Sequence, residues 1–195
     1  MRSLTGLVLR LALKQARVWL DAGTELPVSV NISVTDLIDT RFPELIDHLL
    51  AQHDLPARIL LLEITETELM IDSDRAEVAI ERLTAAGVRV ALDDFGTGYS
   101  SLKYLQQLRL SELKIDRAFV TNMAARESDA AIVRCAIEMA RALGLTVVAE
   151  GVEDKRAAGM LAEFGCDAAQ GFDIAYPMPV AELERWLVQR GTLAA

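Results

Sequence analysis

The sequence predicts an α/β fold, a TIM-like (β/α) barrel with about six βα units present, on three observations. Six short apolar runs each end on one polar or ionisable residue, at Asn31, Glu63, Asp93, Lys114, Glu150 and Gln170. Most of these runs are separated by stretches of helical spacing, the grammar of parallel βαβ units. The runs VSVN, ILLLE, VALD, ELK, VVAE and AAQ read as apolar strands, and parallel strands buried on both faces take that form. A polar residue at each carboxyl end would converge on the top face of a barrel, where such folds build their sites. A closed barrel uses about eight strands in roughly 250 residues, so the expectation is an incomplete barrel with its first two strands missing. The chain opens on a helix, which puts the shortfall on the N-terminal side. A complete six-stranded open sheet is the competing architecture, but it leaves the converging polar ends without a reason.

The elements follow in order. The opening stretch MRSLTGLVLRLALKQARVWLDAG is expected to be an amphipathic helix with Leu7, Val8, Leu11, Ala12, Ala16, Val18 and Trp19 on its apolar face. Arg10 and Lys14 interrupt it, so it is neither a signal peptide nor a membrane span. Pro27 leads into strand VSVNIS, and a helix from Phe42 to His53 ends at the Asp54-Leu55-Pro56 turn. Strand ILLLEITE follows, and Asp72-Ser73-Asp74 offers N-caps for a helix from Arg75 to Ala86 that Gly87 closes before RVALDDF. A helix from Ser128 to Leu143 stops at Gly144 before TVVAEG, and one from Asp154 to Phe164 stops at Gly165 before DAAQGF. The last helix begins near Pro179 and runs to Gln189. No low-complexity linker or short repeat interrupts residues 1–195, which read as one domain.

Twenty basic residues against twenty-nine acidic ones give a net charge of −9, so the surface has no general attraction for a nucleic acid polymer or an anionic membrane. An anionic ligand would need local help from a metal or a buried lysine. Cys135 and Cys166 lack metal-ligand or redox spacing, which fits a reduced, cytoplasmic setting, and His48 and His53 do not share a helix face.

Asn31, Glu63, Asp93, Asp94 and Glu150 carry hard oxygen donors of the kind magnesium, manganese or calcium prefers over zinc. Several carboxylates at one barrel mouth repel unless cations neutralise them. Two divalent ions about 4 Å apart, bridged by one carboxylate, would activate water for an in-line phosphoryl displacement. Asp93 is the natural bridge, with Asp94 beside it. Taken singly, each acid could equally be a solvated cap at a helix N-terminus. Lys114 stands between apolar neighbours, a costly place for an ammonium unless carboxylates or a phosphate meet it. Snorkelling to the sheet rim is the alternative for Lys114. Asp116 with Arg117 reads as a cap and ion pair. The segment Asp93 to Ser101, DDFGTGYSS, is neither a Walker motif nor a dinucleotide fingerprint and reads as an active-site loop or a dimer contact.

These residues resemble the EAL domains, a bacterial family that hydrolyses the second messenger cyclic di-GMP. The resemblance rests on VNIS around Asn31, LEITE from Leu62 to Glu66, DDFGTGYSSLKYL from Asp93 to Leu105, LKIDR from Leu113 to Arg117, VVAEGVE from Val147 to Glu153, and QGF from Gln170 to Phe172. It implies a modified barrel of the EAL type, with Asn31, Glu63, Asp93, Asp94 and Glu150 as metal ligands. It implies further that Lys114 positions the water, that Glu150 also serves as general base, and that Glu66 holds the DDFGTGYSS loop. Glu153, Gln170 and Phe172 would complete the substrate pocket. The family's name-giving Glu-Ala-Leu segment is expected to lie before Met1, so the resemblance suggests an N-terminally truncated domain. Asp173 and Tyr176 stand where that family usually carries a small and a basic residue.

The expected function is therefore a phosphodiesterase domain using Mg2+ or Mn2+ to open cyclic di-GMP to linear pGpG, with reduced activity in this chain. The alternatives are a receptor that binds cyclic di-GMP without cutting it, or a regulatory module dimerising through open barrel edges. The resemblance also suggests a homodimer contact through the Asp94 to Leu105 loop and an upstream sensor or GGDEF domain in a longer parent that could be membrane-anchored.

Overall fold

The computed structural model describes residues 4–97 and 102–191. Among them, β1 (Val28–Asn31), β2 (Leu60–Thr65), β3 (Arg89–Phe95), β4 (Glu112–Ile115), β5 (Thr146–Ala149) and β6 (Ala168–Ala169) form one sheet in sequential order. Every neighbouring pair is parallel, so each connection must cross back over the sheet. Helices α2 (Val34–Leu37) and α3 (Phe42–Gln52) make the first crossover, and α4 (Glu66–Leu69) with α5 (Ser73–Ala85) the second. The next three use α6 (Leu102–Gln107), then α7 (Arg117–Val120) with α8 (Glu127–Ala142), then α9 (Lys155–Phe164). Helix α1 (Leu4–Asp21) precedes the sheet and α10 (Val180–Gln189) follows it. The result is a curled parallel sheet, half of a (β/α) barrel; among the described residues β6 does not return to pair with β1.

Burial explains why these runs are strands. Leu60, Leu61, Leu62 and Ile64 of β2 are all buried, as are Val90, Ala91 and Leu92 of β3, so both faces of the central strands are covered. The outer face meets Ile46 of α3, Ile80 of α5 and Ile137 of α8, each almost wholly removed from solvent. Such a side chain contributes about 1.5–3 kcal/mol on burial. Cap chemistry sets the helix limits: Asp154 accepts from the backbone N–H groups of Arg156 and Ala157 to start α9, and Gly165, at φ 77°, ends it.

Three expectations are corrected. The buried face of α1 is Leu9, Leu13, Ala16 and Trp19, whereas Leu7, Val8, Leu11 and Val18 are exposed. The helix is apolar around most of its circumference, so periodicity alone does not choose a face; packing on β1 and α3 chooses it. Asp72 occupies the N-cap position of α5 without a capping hydrogen bond, and its carboxylate faces Arg75 at 3.6 Å. In the DAAQGF segment only Ala168 and Ala169 count as strand; the Gln170 N–H still donates to the Ala149 carbonyl at 2.8 Å, and the chain turns from Gly171 onward. No helix among the described residues is long and apolar enough to cross a membrane.

Candidate active site

The site begins with an irregularity in β3. Its pairing with β4 runs Ala91 to Glu112 and Leu92 to Leu113, then resumes at Phe95 with Ile115. Asp93 and Asp94 therefore share the length that Lys114 alone occupies on β4, which is a β-bulge. Consecutive strand residues normally point to opposite faces. The bulge cancels that alternation by placing Asp94 in the left-handed region at φ 55°, a conformation that aspartate adopts far more readily than a branched residue. One carboxylate oxygen each from Asp93, Asp94 and Glu150 then falls within 4.8 Å of the others. The Asp94 backbone N–H donates to Asp93 Oδ1 at 3.0 Å, which orients that carboxylate.

Lys114 is the counter-charge. Its ammonium lies 2.6 Å from Glu150 Oε1, 2.9 Å from Glu63 Oε2 and 3.3 Å from Asp93 Oδ1, and its side chain is only 6% exposed. The snorkelling alternative is thereby overturned: the side chain turns inward because three carboxylates satisfy its donors. Burial by itself pulls the Lys114 ammonium toward neutrality, but hydrogen bonds to Glu150 and Glu63 and the charges of Glu63 and Asp93 outweigh it, leaving the pKa raised. Burial raises the Glu150 carboxyl, against the lowering effect of Lys114. Burial, the charge of Asp93 and a hydrogen bond with Asp116 raise the Asp94 carboxyl.

Glu63 pairs with Asn31 in strand register at the neighbouring rim, with Glu63 buried and Asn31 exposed. Glu66 is buried at the head of α4, and its Oε2 accepts from the Gly96 N–H at 3.3 Å, tying the segment after β3 to the rim. Gly96 sits at φ 100°, and a Cβ there would come within 2.8 Å of the Phe119 ring. Residues 98–101 of the DDFGTGYSS segment lie outside the described residues. Beyond Glu150 a cavity of about 200 Å³ is lined by Arg117, Glu150, Glu153, Gln170 and Phe172. Arg117, expected to pair with Asp116, faces this cavity, while Asp116 caps α7 by accepting from the Ala118 N–H at 2.8 Å. No expectation from the sequence covered the bulge, the place of Arg117 at the cavity or a ring contact between Phe172 and Tyr176. Only the paired acids Asp93-Asp94 in a strand gave any signal for the first.

The EAL domain family model matches residues 1–177. The chain belongs to the EAL domain family. The expected N-terminal truncation is not borne out by this match. The chain is 41% identical over 187 residues to the bifunctional diguanylate cyclase/cyclic di-GMP phosphodiesterase MucR of Pseudomonas aeruginosa, covering 92% of this chain and 27% of that protein. It is 42% identical over 181 residues to the cyclic di-GMP phosphodiesterase NbdA of the same organism, covering 92% of this chain and 23% of that protein. This EAL domain thus spans about a quarter of the length of the curated relatives it matches. Among solved structures, it superposes on the MucR phosphodiesterase in its c-di-GMP complex with a TM-score of 0.87 at 42% identity, covering 91% of this chain and 72% of that one. The EAL domain of Mycobacterium smegmatis DcpA gives 0.90 at 38% identity, covering 96% and 85%.

Proposed function

We propose that this EAL domain is a metal-dependent phosphodiesterase that opens cyclic di-GMP to linear pGpG. The single observation that carries it is the bulge-made cluster of Asp93, Asp94 and Glu150 beside the buried Lys114. The donor set fits divalent cations: Lys114 supplies one positive charge against Glu63, Asp93, Asp94 and Glu150, and all four are hard oxygen donors suited to Mg2+ or Mn2+. Asp93, Asp94 and Glu150 would hold the metals, with Glu63 and Asn31 completing the set from the neighbouring strands. A bound pair of such ions supplies a nucleophile at neutral pH and charge stabilisation for in-line displacement at phosphorus.

The chain's own residues do the rest. Asp93, its carboxylate oriented by the Asp94 N–H, would present its oxygens to the metals alongside Asp94 and Glu150. Glu150, with its raised carboxyl, takes the proton from the attacking water, and Lys114 orients that water and holds Glu150 and Glu63 in place. Glu66 secures the segment after β3 through Gly96. Arg117, Glu153, Gln170 and Phe172 line the space into which the rest of the nucleotide extends. The names of the similar proteins MucR and NbdA support the substrate. A reduced, cytoplasmic setting suits this chemistry, and a second copy could pair through the Asp94 to Leu105 segment, which sedimentation at high concentration tests.

The deciding experiment is chromatographic detection of pGpG after incubation with cyclic di-GMP and Mn2+, beside Asp93→Asn and Glu150→Ala. Product that disappears in both variants is expected. Nucleotide binding by calorimetry with no product from the unaltered chain would replace the enzyme with a receptor.

A further inference from the structure

Helix α1 keeps a second apolar stripe out of the core. Leu4, Leu7, Val8, Leu11 and Val18 are between 40% and 78% exposed, on the face opposite the buried Leu9, Leu13 and Ala16. Single exposed leucines need no explanation, but five apolar side chains along one helix face make a continuous surface of the kind that marks an interaction site. Their spacing narrows the shape of the occupant. Leu4, Leu7, Leu11 and Val18 fall on a and d positions of a heptad, with Lys14 at the remaining d, so the stripe has the width of a seam between two helices. Charge fixes the sign of the occupant. Arg10 flanks the stripe at a g position and Lys14 sits within it, and neither has an ion pair among the described residues, whereas Arg17 is held by Asp21 and by the Asp54 carbonyl. Two unpaired cations beside exposed leucines favour an acidic partner, and the net charge of −9 opposes approach to an anionic bilayer. A second α1 does not meet these terms: parallel pairing sets Lys14 against Lys14 of the other copy, and antiparallel pairing faces g positions with g positions, where Arg10 and Arg17 stand. The helix is also held still, because Thr5 Oγ1 donates to Asp36 at 2.9 Å near its start and Trp19 Nε1 donates to Glu184 at 3.0 Å near its end. A partner therefore meets a preorganised surface with little ordering left to do.

We infer that the outer stripe of α1 is a docking surface for one amphipathic helix of a protein partner, with apolar residues at its a and d positions and acidic residues at e and g. Leu4, Leu7, Leu11 and Val18 pack in the seam, and Arg10 and Lys14 pair with the partner's carboxylates. The stripe faces away from the sheet that carries Glu63, Asp93, Lys114 and Glu150, so the inference stands independently of the phosphodiesterase reading.

The probe is a synthetic peptide of about three heptads with leucine at a and d and glutamate at e and g, whose glutamates repel a second copy of itself at neutral pH. Fluorescence anisotropy of the labelled peptide is expected to show saturable binding to the chain, weakened at least about tenfold by Leu7→Glu combined with Leu11→Glu and by exchanging the peptide's glutamates for lysines. Lys14→Glu is expected to weaken binding about fivefold at low salt and less at high salt. All three substituted positions are exposed, so the variants should keep the circular dichroism and the Mn2+ affinity of the parent. No binding of the glutamate peptide, equal affinity for the lysine peptide, or unchanged affinity in the Leu7→Glu, Leu11→Glu variant overturns the assignment. With the peptide unbound, cosedimentation with phosphatidylglycerol vesicles that Leu11→Glu abolishes would give the stripe to a membrane instead, and a concentration-dependent dimer that Leu11→Glu abolishes would give it to a second copy.

Discussion

Replacing Lys114 with methionine isolates the electrostatic design of the site. Three carboxylate oxygens lie 2.6, 2.9 and 3.3 Å from the ammonium, with side-chain exposures of 19%, 8% and 12%. At an effective dielectric constant near 20, each contact at that range is worth roughly 5–6 kcal/mol of attraction. Much of this offsets the desolvation of the ammonium, which methionine does not suffer. What methionine cannot offset is the group of acids left behind, and removing one partner from a buried ion cluster costs about 3–5 kcal/mol. Lys114→Met is thus expected to lose about 4 kcal/mol in urea unfolding without metal, a large share of the roughly 5–15 kcal/mol typical of a domain. The m-value should stay constant, since the same surface is exposed. Because the acids no longer hold a lysine, Mn2+ should recover more stability in the variant than in the parent; an ion at a hundredfold its Kd adds about 2.7 kcal/mol. A loss under about 1 kcal/mol, or an Mn2+ effect no larger in the variant, would refute the counter-charge role of Lys114.

Further outcomes follow from the same geometry. Asp94→Val should destroy the bulge, because a β-branched residue resists φ near 55°; circular dichroism should keep its helical signal while Mn2+ binding by calorimetry falls at least tenfold, and Asp94→Asn should keep the backbone but lose a charge. Gly96→Ala should cost about 1–3 kcal/mol by urea titration, from a forced left-handed alanine and its approach to Phe119. Glu66→Ala should lower kcat about 10–100-fold by releasing the segment at Gly96. Asp94 and Glu150 carry raised pKa values, so their protons persist to higher pH than in ordinary carboxylic acids and metal must displace them. Without metal, these two groups contribute stability that is present below the usual carboxylate range and lost as pH rises through their folded values. With metal the sign reverses, and calorimetric Mn2+ affinity should fall on acidification before ordinary carboxylates titrate.

The sequence by itself determined the parallel βα grammar, because apolar strand runs and capped amphipathic helices are local patterns that burial on both faces imposes. It also placed Asn31, Glu63, Asp93, Lys114 and Glu150 at strand ends, because a parallel sheet sends every carboxyl end to the same rim. Three things were decided only in three dimensions. The bulge at Asp93-Asp94 depends on how β3 meets β4, and no single strand specifies the pairing length of its neighbour. The inward turn of Lys114 depends on acids 51, 21 and 36 residues away in sequence, so its environment exists only once β2, β3, β4 and β5 have assembled. The buried face of α1 was settled by which elements it packs against, since its two apolar stripes are equivalent until β1 and α3 cover one of them.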